Sequence, residues 1–181
     1  MKSLLLAVAL STVAVSAAAQ SGARRASSDQ PDCSAQGALP STWEGQAYAI
    51  DGGNLAGVGL KPKIRIWGIQ APELRDPAKR ETVAGMRARA ALEDLLEQSG
   101  HKVKCRAAKF DRDCLAVAQC SLDGVQGSDL GGAMIAAGLA YGSHLDEALP
   151  WESRASQRYA TAEAEARKQR RGLWKEWLGE K

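Results

Sequence analysis

A chain of 181 residues with 45% hydrophobic and 25% charged side chains is ordinary globular material, which excludes a disordered or collagen-like polymer. The length suits one domain with a core, and a net charge of +3 permits a polyanionic partner without demanding one. His101 and His144 are too few for a histidine-rich metal centre, and no Cys-x-x-Cys or His-x-x-x-His spacing supplies a zinc site.

Met1-Lys2 leads into an apolar run over 4–10 and a small-residue stretch over 15–19. A basic start, a short apolar core and an Ala-x-Ala exit predict a cleaved secretory signal over residues 1–20. A membrane anchor is the alternative, but a spanning helix needs about 20 mainly apolar residues, and Gln20-Ser21 arrives too soon. The expectation is a periplasmic or secreted protein with no membrane span once the signal is removed. In an oxidising compartment, pairing is the default for Cys33, Cys105, Cys114 and Cys120. Cys105 and Cys120 flank the polar stretch 109–113 almost symmetrically, so a hairpin there sets them face to face across two strands. This favours Cys105–Cys120 and leaves Cys33–Cys114 as a clamp onto the turn, with unpaired Cys33 and Cys114 as the alternative.

Residues 21–42 are rich in Ser, Gly, Arg, Asp and Pro without an apolar period and read as an N-terminal arm ahead of one domain over 43–181. Strands are predicted over 46–50, 55–60 and 64–69, separated by the turns Asp51-Gly52-Gly53-Asn54 and Lys61-Pro62 and stopped at Ala71-Pro72. Val83, Met86, Ala90, Leu92, Leu95 and Leu96 recur at helical spacing and predict a helix over 80–98, closed by Gly100. A strand pair over 103–107 and 115–122 follows. Asp129 then reads as the N-cap of a short helix reaching Ala137, and a last helix spans 151–171. Three strands, a helix, two strands and two helices suit an α+β fold: a five-stranded OB-type Greek-key β-barrel with about three helices.

Several ordered blocks then converge. Ile50-Asp51-Gly52 is similar to the start of an Asp-Gly-Asp-Thr turn, and Ile64-Arg65-Ile66-Trp67-Gly68-Ile69-Gln70-Ala71-Pro72-Glu73 to an Arg-Leu-x-Gly-Ile-Asp-Ala-Pro-Glu strand. Gly85-x-x-Ala88 with Leu92 and Leu95 resembles the next helix. Cys105, Asp111-Arg112, Val117-Ala118 and Cys120 resemble a Cys…Asp-Arg-Tyr-Gly-Arg-x-Val-Ala-x-Cys hairpin. Asp129-Leu130, Gly138-Leu139-Ala140 and Tyr159…Ala162-Glu163…Ala166-Arg167…Gly172-Leu173-Trp174 complete the series. In this the chain resembles exported members of the staphylococcal-nuclease-like (thermonuclease) family over roughly 46–174.

The resemblance implies phosphodiester cleavage with one calcium ion, two arginines and a glutamate. A hard cation needs several anionic oxygens, planar guanidiniums match phosphate, and a carboxylate orients or deprotonates the attacking water. By resemblance Arg65 is the first phosphate-clamping arginine, Glu73 the water-activating glutamate, and Asp51 a supporting metal residue. Three family positions are altered. The ligand aspartate of the turn is Gly53, followed by Asn54 where the family has threonine. The second ligand aspartate is Gln70, which retains only a neutral oxygen. The second catalytic arginine is Leu115, preceded by Asp113-Cys114 in place of Tyr-Gly.

Calcium affinity follows ligand charge, and transition-state arginines in other phosphoryl-transfer systems contribute on the order of 10³–10⁵ in rate. The expectation is a monomeric, catalytically impaired homologue with weak or no Ca2+ binding, Asp51 and Gln70 being its remaining metal residues. Its partner would be nucleic acid, another polyanion such as an acidic polysaccharide, or a protein. A weak calcium-dependent endonuclease acting on DNA or RNA is the alternative, and a structural role in the envelope a third reading. Arg112 and Lys109 are the expected substrate-binding residues, with Arg106 near them and an ordinary solvated hairpin tip as the competing reading. In a regular strand Arg112 would face away from Leu115, but it can swing in from a turn. Arg65 and Glu73 have a structural ion pair as their alternative. His144 is expected at the surface, and the basic run 167–171 as a solvated helix end that suits the helix dipole.

Overall fold

The computed structural model describes residues 32–124 and 129–179; the expected signal over 1–20 and the first part of the arm lie outside the described residues. Five strands close a barrel in the order β1 (Thr42–Ala49), β2 (Asn54–Gly57), β3 (Ile64–Ile66), β6 (Ala116–Leu122) and β5 (Lys102–Phe110). Only β3 and β6 pair in parallel within it. Closure leaves no open edge, and period-two alternation turns Ala47, Ala49, Ile64, Ile66, Val103 and Cys105 into the core.

The predicted strand over 64–69 is broken. Gly68 adopts φ 76°, and a β-carbon there would lie 2.9 Å from the Tyr159 ring, so the chain turns where only glycine fits. Beyond it, β4 (Ile69–Gln70) leaves the barrel and pairs with β7 (Tyr141–Gly142), which sets Gln70 opposite Tyr141.

Helix α1 (Val83–Glu97) starts at the first residue of its apolar period, three residues after the expected boundary at 80, because Thr82 caps it. The Thr82 hydroxyl accepts from Gly85 N at 3.0 Å and donates to the Glu73 carbonyl at 2.6 Å, fastening the helix start to the loop behind β4. Ala88, Leu92 and Leu96 then bury one helix face against the core. Helix α2 (Leu130–Ala136) packs on α3 (Ala155–Lys168), with Tyr159 buried between barrel and helices. The expected last helix is shorter at both ends, α3 running from Ala155 to Lys168, and beyond Gly172, at φ 54°, the chain adds the short α4 (Trp174–Trp177). Among the described residues no helix is long and apolar enough to cross a membrane.

Strand β5 runs on to Phe110, past the expected end at 107, with a bulge where its register on β6 shifts between Ala107 and Lys109. The hairpin tip is therefore 111–115. Cys105 faces Cys120 across β5 and β6 and is bonded to it, Cα to Cα 4.1 Å. Cys33 is bonded to Cys114 at the tip, so the described part of the arm, with a 3-10 turn over Ser34–Gln36, is fastened to the barrel.

Candidate functional site

The turn after β1, strands β3 and β4 and the loop behind β4 meet around a small hollow lined by Asp51, Gly53, Asn54, Arg65, Gln70 and Glu73. The fold thus gathers residues that lie up to 22 positions apart, and it does so through the break at Gly68. A wider hollow of about 740 Å³ adjoins it, sharing Arg65, Ile69 and Gln70 and reaching Lys109, Arg112, His144 and Glu147.

The two carboxylates of the small hollow meet amide hydrogens. Asp51 Oδ1 accepts from Gly53 N at 2.8 Å, and Asn54 Nδ2 bridges both Asp51 oxygens at 3.0 and 2.8 Å. Gln70 Nε2 donates to the Ala71 carbonyl at 3.0 Å and to Glu73 Oε1 at 3.4 Å. Turning either amide over would set an oxygen against a carboxylate, so the network fixes both orientations. Asn54 Oδ1 is left buried without a hydrogen-bond partner among the described residues. At Gly53 a β-carbon would meet nothing closer than 3.9 Å; the space for a side chain exists, but the oxygen does not. No group of three His, Cys, Asp or Glu residues that could hold a metal ion occurs among the described residues.

Arg65 is not paired with Glu73, which sets aside that structural ion-pair reading. Its Nε lies 2.8 Å from Asp111 Oδ2 and its Nη2 3.4 Å from Asp113 Oδ2, both on the hairpin tip. The closer contact is an ion pair off the hydrogen-bonding line, since neither atom has a hydrogen-bond partner among the described residues. Asp111 is itself fixed: its Oδ1 accepts from the N–H groups of Asp113 and Leu115, each at 2.9 Å, an Asx-type turn. Exposure separates the two pairs, with the Asp111 side chain 15% and Asp113 74% exposed against 39% for Arg65.

Leu115 sits half-buried behind this turn with no charge to offer. Lys109, expected at the ligand, lines the wide hollow and is paired across it with Glu147. Arg112 lies on the turn rather than on a strand, is exposed, and lines the same hollow as Arg65. His144 is exposed, as expected of a surface residue, and lies on the rim of the same hollow. The shifted titrations lie elsewhere: burial and the Asp129 charge push the Tyr159 phenol well up, with its hydroxyl donating to Asp129 Oδ1 at 2.9 Å.

Sequence reasoning missed Asp113 and Glu147 as partners of the basic residues, and Asn54 as the cap of Asp51. The Asp-x-Asp-x-Leu spacing of the tip and the three-residue step from Asp51 to Asn54 were readable as side-chain turns. Nothing local marks Glu147.

A family model described as staphylococcal nuclease homologue matches residues 63–176, more than half of the chain. That span takes in Arg65, Gln70, Glu73, Lys109, Arg112 and Leu115. No curated protein matches the chain.

Proposed function

The chain belongs to the staphylococcal nuclease homologue family, and from that premise we propose an exported member that binds a polyanion, nucleic acid first, while hydrolysing phosphodiesters poorly or not at all. Proteins of this family bind nucleic acid and are generally calcium-dependent. The observation that carries the reading is the pair of side-chain amides. A calcium ion takes about six to eight oxygens, several of them charged. Here Asn54 and Gln70 point N–H groups, with positive dipole ends, at the two carboxylates that remain. Gly53 brings no oxygen. The residues present do not fit a calcium ion.

Without that charge and without a guanidinium at Leu115, the site keeps groups suited to holding an anion. Arg65 and Arg112 share the wide hollow, and Trp67 and Phe110 add aromatic lining beside them. Glu73, at the rim of the small hollow, remains as a carboxylate able to orient water. Export is supported by the N-terminal pattern over 1–20 and by two disulfides, which persist in oxidising compartments. The proposed layout is a signal over 1–20, an arm over 21–42 fastened through Cys33, and one domain over 43–181.

Gel shifts of a single-stranded oligonucleotide across a salt series test the binding. The log–log slope is expected to flatten by about 0.7 for each phosphate that Arg65→Ala or Arg112→Ala ceases to neutralise. Binding to neither nucleic acid nor an acidic polysaccharide, or binding that neither variant weakens, would contradict the reading.

A further inference from the structure

The hairpin tip that holds Arg65 is also the place where the arm is bonded to the barrel. Cys114 directly follows Asp113 and sits in the left-handed region at φ 58°, which a side chain other than glycine adopts at a cost. Two ties keep it there: its N–H donates to the Asp111 carbonyl at 3.1 Å, and its sulfur is bonded to the buried Cys33. Asp111 is anchored independently by the N–H groups of Asp113 and Leu115. The Asp113 side chain lacks such an anchor. It is 74% exposed and reaches Arg65 Nη2 only at 3.4 Å, so its position follows from where the tip is held.

We propose that the Cys33–Cys114 disulfide is a latch that keeps the Asp113 carboxylate on Arg65, and that opening it frees the Nη2 edge of the arginine for an anionic ligand while Asp111 stays at Nε. The inference deepens the function proposed above and rests on Arg65 as an anion-binding residue. Carboxylate and phosphate compete for the same guanidinium edge, so an internal carboxylate lowers the affinity for phosphate by the strength of its own pair.

Cys114 is half-buried and therefore the more reachable sulfur. A dithiol reductant opens the latch in two exchanges. Its first thiolate attacks Cys114 Sγ, the S–S bond breaks, and Cys33 leaves as a thiolate that takes up a proton. Its second thiolate then closes the reductant to a disulfide and releases Cys114, which is protonated in turn. Two electrons and two protons pass to the protein. Cys105 and Cys120, 5% and 0% exposed, are shielded from the same exchange.

Labelling with phenylglyoxal, an arginine-selective dicarbonyl, followed by peptide mass mapping of the full chain, reads the state of Arg65 directly. The exposed Arg154 serves as the internal standard. Arg65 is expected to label about two- to fivefold faster in Cys33→Ser/Cys114→Ser and in Asp113→Asn, the gain from releasing one half-exposed ion pair, while Arg154 stays constant. Asp113→Asn leaves the disulfide intact, so it decides the matter where the double variant does not fold by circular dichroism. An Arg65 rate equal to the parent's in either folded variant overturns the latch. The labelling uses no nucleic acid, so a failure of polyanion binding is seen separately.

Discussion

Asn54 Nδ2 donates to both carboxylate oxygens of Asp51, at 3.0 and 2.8 Å, filling with a neutral amide the face that a cation would otherwise approach. Charge-assisted hydrogen bonds of this kind stabilise the turn between β1 and β2 as well as shaping the site. Asn54→Ala is expected to lower stability by about 1–2 kcal/mol, because a half-buried carboxylate loses donors. Urea unfolding checks this through a lower midpoint at unchanged slope. No change would mean that solvent replaces the amide at no cost.

The start of α1 holds the Glu73 loop by backbone contact. A β-carbon at Gly85 would lie 2.3 Å from the Glu73 carbonyl oxygen. Helix propensity alone favours alanine over glycine by about 1 kcal/mol, yet the backbone clash dominates. Gly85→Ala is therefore expected to destabilise by about 1–3 kcal/mol and to displace Glu73. Thr82→Ala, which removes the cap without adding bulk, is expected to cost about 1 kcal/mol. Denaturant midpoints for the two variants check both magnitudes; a stabilised Gly85→Ala would show that the loop yields freely.

Acid sensitivity has an identifiable source away from the site. Burial pushes the Glu152 carboxyl up, but hydrogen bonds from Gln119 and Arg158 and the Arg158 charge outweigh it, and the net direction is below the usual range. A folded-state value below the unfolded one means that the unfolded chain binds the proton first. The stabilisation is complete above the ordinary glutamate value of about 4.3 and is lost as pH falls through and below it. Parent and Glu152→Gln should differ in unfolding midpoint at pH 7 and converge toward pH 3. A gap that stays constant with pH would contradict this assignment.

Much of the fold was legible because its signals are local. Leu92, Leu95 and Leu96 at helical spacing marked α1, although its buried face runs through Ala88 while Val83, Met86 and Ala90 are exposed, and the symmetric placing of Cys105 and Cys120 about a polar stretch marked the β5–β6 hairpin. The break at Gly68 had one weak local signal, Ile69 falling out of phase with Ile64 and Ile66; the close approach of the Tyr159 ring, which leaves no room for a β-carbon there, comes from far along the chain. The site divides in the same way. Which residues share the hollow followed from motif spacing, but which groups neutralise them did not. Asp111 and Asp113 reach Arg65 across 46 and 48 residues, and the amide orientations of Asn54 and Gln70 emerge only when both carboxylates are in place.

The most direct measurement is digestion of single-stranded DNA with calcium or chelator, comparing the unmodified protein with Glu73→Gln and with the triple variant Gly53→Asp, Gln70→Asp, Leu115→Arg. The open space at Gly53, with no atom closer than 3.9 Å to a β-carbon, leaves room for the restored aspartate. The unmodified protein should show no cleavage above the chelator control, while the triple variant gains calcium-dependent activity. Cleavage by the unmodified protein that chelator stops and Glu73→Gln abolishes would contradict an amide-capped, cation-poor site.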